Sequence, residues 1–423
     1  MTTVKELVRR GAVWPFTRCS IKRVLTNGNY ETTWQDISPY VVSYPVIKKS
    51  FGDTVYLGDY IIDAGTIIFN NSTRFFNPEN ENRSFFYGYL TRYRTKIKIE
   101  YGFFDDDGSE VQGLVFYGIF FSEPSNSDDG RISFSLAPLI KVFQNYAAYG
   151  VSTSGSPSSA DMIDRIVKQT RNEIRIFDRF MEGANDSERY KINPNSETLL
   201  LSSISAPSIA QDDTCWKKIS DYSFAEDFFP YIDNTGNFVW DKKSATDEIQ
   251  WVFNGAGSND GDYGVKIVSI DEERSGINNV WTRFVIEYND QTFYTASDTW
   301  EPGDGSYQDI YGERTYSYTI LDLDLAGATT IASALKEQYK APKREWSITT
   351  VLLPQLELKD RVQINYVGQI STARPFIVSV SSLDESELGT YLNSINLIEV
   401  DAKIIELSHD FDARTSKFKL REV

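Results

Sequence analysis

Residues 95–121 read TKIKIEYGFFDDDGSEVQGLVFYGIFF, and this stretch decides the fold class. Residues 95–101 alternate polar and apolar side chains, which is the period of a half-buried β-strand. Residues 111–121 form a second candidate strand, and the polar, glycine-containing residues 105–109 lie between the two. The pattern therefore predicts a β-hairpin in an antiparallel sheet.

The composition of the whole chain also favours a mainly β protein. Its 423 residues include 26 Phe, 25 Tyr and 8 Trp, but only 3 Met and 1 His. Aromatic side chains are enriched on pleated sheet surfaces. The length allows two or three domains, and 41% hydrophobic residues can supply a core for each.

The first third of the chain, residues 1–150, is predicted to consist mainly of strands. Besides the hairpin it contains an alternating run at 131–136, just before Pro138. Residues 150–160, GVSTSGSPSSA, are nearly all Gly, Ser, Thr and Pro, a composition typical of a linker or long loop. We therefore place the first boundary at residue 150.

Residues 151–263 change to a mixed α/β pattern. Apolar residues follow at helical spacing from Ser159, and either Ser159 or Asp161 is available as the helix N-cap. A second helix is predicted at 213–224. A hairpin follows it, with its turn at 234–236.

Residues 264–423 return to strands, predicted at 280–288, 345–353, 361–366, 375–380, 403–407 and 416–421. One helix covers 326–339, and Pro342 closes it. Residues 358–366 have the same sequence pattern as residues 90–101. In both, a leucine and a basic turn precede an alternating strand that ends in tyrosine. This favours two related barrels, and two unrelated antiparallel meanders are the alternative.

The net charge of −17 is concentrated in the middle of the chain. Residues 1–150 carry 16 basic and 16 acidic residues, and residues 331–423 carry 12 and 13. Residues 151–330 carry 15 basic and 31 acidic residues. Such a segment repels phosphate backbones, which argues against tight nucleic-acid binding there. The acidity of this segment is compatible with three roles: a solvated surface, a calcium site or an electrostatic lining.

The scarcity of metal-ligating residues excludes several classes of enzyme. His409 is the only histidine, so sites that need two or three imidazoles are excluded, including the common zinc enzymes. Cys19 and Cys215 are far apart and neither belongs to a CxxC motif. They are predicted to be buried or half-buried free thiols.

Targeting and membrane segments are not predicted. Residues 1–20 have no uninterrupted apolar core of signal-peptide length. The longest apolar stretch, residues 114–121, is 8 residues long including its glycine, far below the ~20 that span a bilayer. We expect a soluble protein made in a reducing compartment.

Two acidic clusters are candidates for calcium. Residues 105–108, DDDG, offer three consecutive carboxylates, but such residues in a short hairpin rarely converge on one ion, so a turn is the better reading. Residues 257–264, GSNDGDYG, alternate aspartates with glycines and resemble a cation loop more closely. No repeat of that loop exists in the sequence.

Carbohydrate and hydrolase chemistry have weak support. A glycosidase needs two carboxylates about 5–9 Å apart, a pair that 60 acidic residues provide in any fold. Several tryptophans are able to stack on sugars but are more typical of a core: Trp216, Trp240, Trp251, Trp281 and Trp300. His409 has Ser408 and Asp410 beside it, but adjacent strand residues point to opposite faces, so they form no triad.

The order of these features resembles the hub proteins of phage tail baseplates and tail tips. In the C-terminal third, the runs that carry the resemblance are 279–288 (NVWTRFVIEY), 311–314 (YGER), the helix at 326–339, 352–362 (LLPQLELKDRV) and 404–423. Lys359 stands where a glycine is frequent in the family. The N-terminal part is similar through 34–40 (WQDISPY), 63–71 (DAGTIIFNN) and 75–78 (FFNP).

The resemblance implies a fold that is mainly β with some α. It comprises two small β-barrel hub domains, at 1–150 and 264–423, which flank a mixed α/β insertion domain at 151–263. It also implies a homotrimeric ring that joins the tail tube to the tip and fibre components and surrounds the DNA-ejection channel. The expected location is the virion tail, after synthesis in the host cytoplasm.

The expected partners are the tail-tube or distal-tail protein, the tape-measure protein and tip or fibre proteins, with DNA only as cargo in transit. The resemblance implies no enzymatic activity and no catalytic, cofactor-binding or metal residues. It also implies no cofactor and no stable membrane insertion.

Two hypotheses concern charge. An acidic wall formed by residues 151–330 would let DNA slide through the channel without adhering. Four basic residues alternate along one predicted strand and suit tube or subunit contacts, or simply an exposed strand face: Arg92, Arg94, Lys96 and Lys98.

Two other functions stay open at this point. One is a virion-attached carbohydrate-binding or cell-wall-hydrolase module, supported by aromatic residues in an acidic segment. The other is a distal-tail or fibre-adaptor protein with the same barrels in a different copy number.

Overall fold

A computed structural model describes most of the chain. The residues described are 14–51, 60–77, 84–89, 91–122, 125–126, 130–171, 173–204, 207–233, 235–242, 248–254, 269–274, 280–288, 291–296, 307–320, 322–339, 343–367 and 397–423.

Strands dominate the described residues, as the aromatic-rich composition predicts. In chain order they are β1 (Trp14–Val24), β2 (Gln35–Asp36), β3 (Val41–Ser43), β4 (Val46–Phe51), β5 (Tyr60–Asp63), β6 (Thr66–Asn70), β7 (Thr91–Phe104), β8 (Glu110–Phe120), β9 (Ser125–Asn126), β10 (Arg131–Pro138), β11 (Thr170–Arg171), β12 (Ile174–Arg175), β13 (Tyr190–Ile192), β14 (Phe228–Ile232), β15 (Phe238–Lys242), β16 (Trp251–Asn254), β17 (Ser269–Arg274), β18 (Arg283–Tyr288), β19 (Gln291–Ala296), β20 (Thr315–Thr319), β21 (Arg344–Val351), β22 (Arg361–Val367), β23 (Leu397–Asp410) and β24 (Thr415–Glu422).

Helices are few and mostly short. They are α1 (Ser159–Val167), α2 (Asp186–Arg189), α3 (Cys215–Glu226), α4 (Tyr307–Tyr311) and α5 (Leu325–Tyr339), with 3-10 turns at Ser38–Tyr40 and Leu139–Asn145.

The first sheet has the strand order β2-β1-β7-β8-β10-β6-β3, with β9 attached to β10. The predicted hairpin at 95–121 is confirmed as β7 and β8, and residues 105–109 form its turn. Strand β10 changes partner along its length, from β6 at its start to β8 at its end. This change of partner lets the sheet curl as a half-barrel around an aromatic core.

The second sheet has the order β16-β22-β23-β24-β21-β17 and also curls. Strand β4 adds to it by pairing antiparallel with β23, and β5 pairs with β4. The β4–β5 hairpin therefore leaves the first sheet after β3, joins the second sheet, and returns to the first sheet at β6. We call this hairpin the arm.

Three smaller sheets and the helices fill the rest. Strands β13, β15 and β14 form one sheet, β11 and β12 form a hairpin, and β19, β18 and β20 form the third. Helix α5 packs on β18 and β19. The region between residues 283 and 339 thus has its own α/β unit, in addition to the predicted strands of the second sheet.

The predicted helices are present, with one corrected cap. Helix α1 begins at Ser159 with Met162, Ile163, Ile166 and Val167 buried, but its N-cap is Ser158. The Ser158 side chain accepts a hydrogen bond from the backbone N–H of Asp161 and the Asp161 carboxylate accepts one from the backbone N–H of Ser158, a capping box. The predicted helices at 213–224 and 326–339 correspond to α3 and α5.

The hairpin predicted around residues 234–236 corresponds to β14 and β15. The strand predicted at 375–380 lies outside the described residues. Two strand pairings cross the predicted division at 150 and 263. The arm comes from residues 1–150, and β16 from residues 151–263 pairs in parallel with β22. The three-part division stays a prediction.

Candidate functional site

An open groove crosses the outer face of the second sheet. It runs over β4, β23, β24 and β21 and has a volume of about 480 Å³. Alternate residues of these strands point inward and are buried, among them Ile47, His409 and Phe418. The outward residues that define the groove are Lys48, Thr349, Glu406, Ser408, Asp410 and Lys417. We call it the outer groove.

Strand register arranges the charges of the outer groove in rows. Ser408 lies opposite Lys48 on β4 and opposite Lys417 on β24, and Lys417 lies opposite Thr349 on β21. Because neighbouring strands are about 4.8 Å apart, the backbones of the two lysines are separated by roughly 10 Å. Glu406 and Asp410 flank Ser408 along the same face of β23.

Such a face is suited to protein recognition. Charges held at fixed positions on a face set the register of a partner more than they add affinity. Small-molecule sites are usually enclosed and mostly apolar, and the open, hydroxyl- and lysine-rich outer groove is neither.

The two sheets interlock beside this face. The arm passes from the first sheet to the second, and the tip of the β23–β24 hairpin reaches the first sheet in return. Phe411 at that tip is buried, with ring centroids 6.1 Å from Tyr44 and 6.4 Å from Tyr101. The carboxylate of the neighbouring Asp412 accepts hydrogen bonds from the Ser43 hydroxyl at 2.7 Å and from the Tyr44 N–H.

Basic residues of the first sheet bind the middle of the chain. The ammonium groups of Lys22 and Lys96 lie 2.8 and 2.9 Å from the two oxygens of Glu182. The Tyr117 hydroxyl donates to the same carboxylate at 3.0 Å. Gly236 has φ of +85° and packs so closely on Tyr117 and Glu182 that a Cβ there would lie 2.7 Å from the tyrosine ring.

Burial and charge pairing compete in setting the pKa values of Lys96 and Glu182. It lowers the pKa of Lys96 to about 8, against the opposing effect of Glu182. Burial alone would raise the pKa of Glu182, but Lys96 and Lys22 outweigh it and lower that pKa. The cluster therefore holds charged groups in a mostly dry contact between the first sheet and the segment after α1.

These contacts correct the hypothesis for the alternating basic residues of β7. Lys96 is only 2% exposed and is bound within the chain, so it is not available for tube or subunit contacts. Arg94 has a left-handed backbone, with φ of +64°, and donates to the Tyr146 hydroxyl. Lys98 pairs with Glu100 at 2.8 Å. The side chain of Arg92 lies outside the described residues.

His409 is buried and hydrogen-bonded within the fold. Its Nδ1 lies 2.8 Å from the hydroxyl of Ser416, a residue on the next strand and not the adjacent Ser408. Both residues are buried, at 1% and 0% exposure, and the Ser416 oxygen also accepts the N–H of Leu353. A serine without access to a substrate cannot act as a nucleophile, so the pair offers no hydrolytic site.

The other sequence candidates are mostly structural where they are described. Trp216, Trp240 and Trp251 are buried and unavailable for stacking on sugars, and Trp281 is partly buried. Trp300 and the candidate calcium loop at 257–264 lie outside the described residues. Cys19 and Cys215 are both buried and free, which confirms their prediction.

Neither a metal site nor a membrane-spanning helix occurs in the described part of the chain. No three His, Cys, Asp or Glu side chains there are arranged to hold a metal ion. No helix there has the length and apolar character needed to cross a bilayer.

The sequence did not predict the contacts of Glu182 or the position of the arm. Glu182 gives no local signal, because its partners come from strands far away in the chain. The arm was also missed, since the alternation in β4 does not indicate which sheet it joins. The sequence did contain one signal of an unusual backbone, at Lys359, which stands where a glycine is frequent in the family that the chain resembles. Its backbone is left-handed, with φ of +63°.

Comparisons with known proteins give a fold likeness. No family model matches the chain, and no curated protein matches its sequence. A tail protein from Neisseria meningitidis MC58 has a similar structure, with a TM-score of 0.52 and 10% identity over 96% of both chains.

Two further solved structures are similar at a TM-score of 0.50. One is a prophage tail protein from Listeria monocytogenes EGD-e, with 10% identity over 95% of this chain and 94% of that one. The other is the 43 kDa tail protein of prophage MuSo2 from Shewanella oneidensis, with 11% identity over 95% and 98%. At such low identities these likenesses show a common fold.

Proposed function

We propose that this chain, which has the fold of phage tail proteins, is a structural subunit of a bacteriophage tail baseplate. The observation that carries the proposal is the extent of the likeness. Coverage of 94–98% of three tail proteins includes both curled sheets and the segment between them. The assembly role is inferred by analogy with these tail proteins, whose fold the chain shares over its whole length.

The finer proposal is a hub. In this role the chain forms a homotrimeric ring that joins the tail tube to the tip and fibre components. The ring surrounds the channel through which DNA is ejected. The tail-tube or distal-tail protein, the tape-measure protein and tip or fibre proteins are its partners, and the virion tail is its location. The proposal includes the division of the chain into a first barrel, an insertion domain and a second barrel, with boundaries at residues 150 and 263.

The interlocked sheets support such a role. A ring subunit must keep two contact surfaces at a fixed angle, because its neighbours on both sides depend on that angle. Here the arm and the β23–β24 hairpin connect the two sheets in both directions. The subunit therefore presents both sheets as one body.

The outer groove is the surface that we assign to assembly contacts. Lys48 and Lys417 are exposed on its floor, whereas the cations of the first sheet described above are bound within the chain. In this assignment Lys48 and Lys417 would pair with carboxylates from the acidic residues 151–330 of a neighbouring subunit. The same acidity, where it faces the channel, would keep DNA from adhering.

Charge reversal in the outer groove tests the assignment. We expect purified wild-type protein to form rings in negative-stain electron microscopy, and Lys48→Glu combined with Lys417→Glu to remain as single subunits. Both proteins should have the same circular dichroism spectrum and melting temperature, since both lysines are exposed. A matched control is Arg74→Glu, which reverses an exposed charge in the loop after β6, outside both the outer groove and residues 151–330. Normal rings from the double variant would remove the outer groove from the assembly surface.

The alternative of a cell-wall hydrolase or carbohydrate-binding module makes a different prediction. Clearing of peptidoglycan or capsule in zymography by the purified protein would favour it. Purified protein that forms rings but clears neither peptidoglycan nor capsule would favour the hub. A distal-tail or fibre-adaptor role differs from the hub in copy number.

A further inference from the structure

Two charged residues with left-handed backbones bind each other across the fold. Asp227 has φ of +56° and Lys359 has φ of +63°. The Lys359 Nζ lies 3.2 Å from Oδ1 of Asp227, although the residues are 132 positions apart. A left-handed backbone is unfavourable for a residue with a Cβ, a cost that glycine avoids. Several charged residues of this chain have left-handed backbones, and Asp227 and Lys359 are two of them that bind each other.

Three segments meet at this contact. Asp227 is the C-cap of α3 and leads directly into β14. Lys359 lies in the turn before β22, and its ammonium is 5.6 Å from the ring centre of Phe51 at the end of β4 and 5.9 Å from that of Phe229 on β14. The two rings are themselves 5.7 Å apart. The lysine therefore joins the middle of the chain, the arm and the second sheet.

The two sides of the contact differ in exposure. The Lys359 side chain is 9% exposed, whereas that of Asp227 is 52% exposed. Beside them, Lys49 of the arm holds Glu357 of the same turn at 2.6 and 2.7 Å. The arm is thus firmly bound to the turn. The Asp227 side is open to water and ions, which weaken exposed ion pairs.

We propose that the Asp227–Lys359 pair is a releasable latch between the middle of the chain and the second sheet. In the closed state the pair holds the end of α3 and the start of β14 against the turn before β22. When the pair breaks, the end of α3 moves away from the turn, while Phe229 stays on Phe51, Lys359 stays over Phe51 and Lys49 stays on Glu357. The latch is independent of the proposed assembly function.

Hydrogen–deuterium exchange of the full-length chain tests the latch. In the wild type, raising NaCl from about 0.05 M to about 1 M should speed exchange roughly fivefold in peptides that cover 226–232 and 357–362, because salt screens the pair. Asp227→Gly and Lys359→Gly should each give the faster rate at low salt and abolish the salt effect. The double variant should match the single variants, since they remove the same contact.

The control is Asp164→Asn, which removes the partner of Lys168 on α1 and should leave both peptides unchanged. Glycine variants that exchange at the wild-type rate or more slowly would overturn the proposal, because relief of the left-handed backbones would then be the only effect. Wild-type exchange that does not respond to salt would overturn it as well, whatever the variants do.

Discussion

Phe411 of the second sheet and Tyr101 of the first sheet share one core, with ring centroids 6.4 Å apart. Phe411 is 4% exposed and also packs against Tyr44, so the tip of the β23–β24 hairpin fills a space in the other sheet. The two sheets of the chain are thus joined by inserted side chains as well as by the arm. We expect this contact to determine how firmly the two sheets hold together.

Phe411→Ala should lower the free energy of unfolding by about 3 kcal/mol, because it leaves a cavity between the sheets. Urea denaturation followed by tryptophan fluorescence measures the change. Tyr149→Ala is the control, since Tyr149 is 64% exposed and its truncation should cost less than about 0.5 kcal/mol. Equal stability of the two variants would mean that the hairpin tip contributes little to joining the sheets.

Glu182→Gln should destabilise the fold by about 2–3 kcal/mol. The amide keeps the shape of the carboxylate but removes its charge, which leaves Lys22 and Lys96 in a buried site without the anion that binds them. Chemical denaturation at neutral pH provides the measurement. Glu197→Gln, at an exposed position, should change stability by less than about 0.5 kcal/mol. A loss no larger than that control would contradict the account of the cluster.

The buried His409 predicts an acid-sensitive fold. Burial, with Lys49 nearby, lowers its pKa from 6.5 to about 3. Between these pH values the unfolded state binds a proton that the folded state does not. The free energy of unfolding should therefore fall as the pH falls, by at most about 1.4 kcal/mol per pH unit from this residue.

His409→Asn removes this contribution. Its unfolding free energy should decline less steeply than that of the wild type between pH 6 and pH 4, where the remaining slope comes from carboxylates. Urea unfolding at several pH values gives both slopes. Parallel curves for the two proteins would show that His409 binds its proton with the same pKa in the folded and unfolded states, which contradicts the lowered pKa.

The sequence predicted elements whose signals are local. The β7–β8 hairpin, α1, α3 and α5 have periodic apolar residues and recognisable caps or turns, and they occur close to where they were expected. The cap of α1 was misplaced by one residue because Ser158 and Ser159 have the same chemistry.

The sequence did not predict contacts between distant segments. The register of β4 on β23 depends on which sheet edge is available in space, and alternation in a single strand contains no such information. Glu182 similarly depends on strands that lie 86 and 160 positions away. Lys359 was noticed only because a glycine is frequent there, and its partner Asp227 was not anticipated.

Assembly as a trimeric ring can be measured by native mass spectrometry of the purified protein, because each copy of the chain contributes 48.2 kDa. We expect a dominant species of three copies, which the outer-groove double variant lacks. A dominant species of six subunits would favour the distal-tail or adaptor role, and a monomer at all concentrations would contradict the hub.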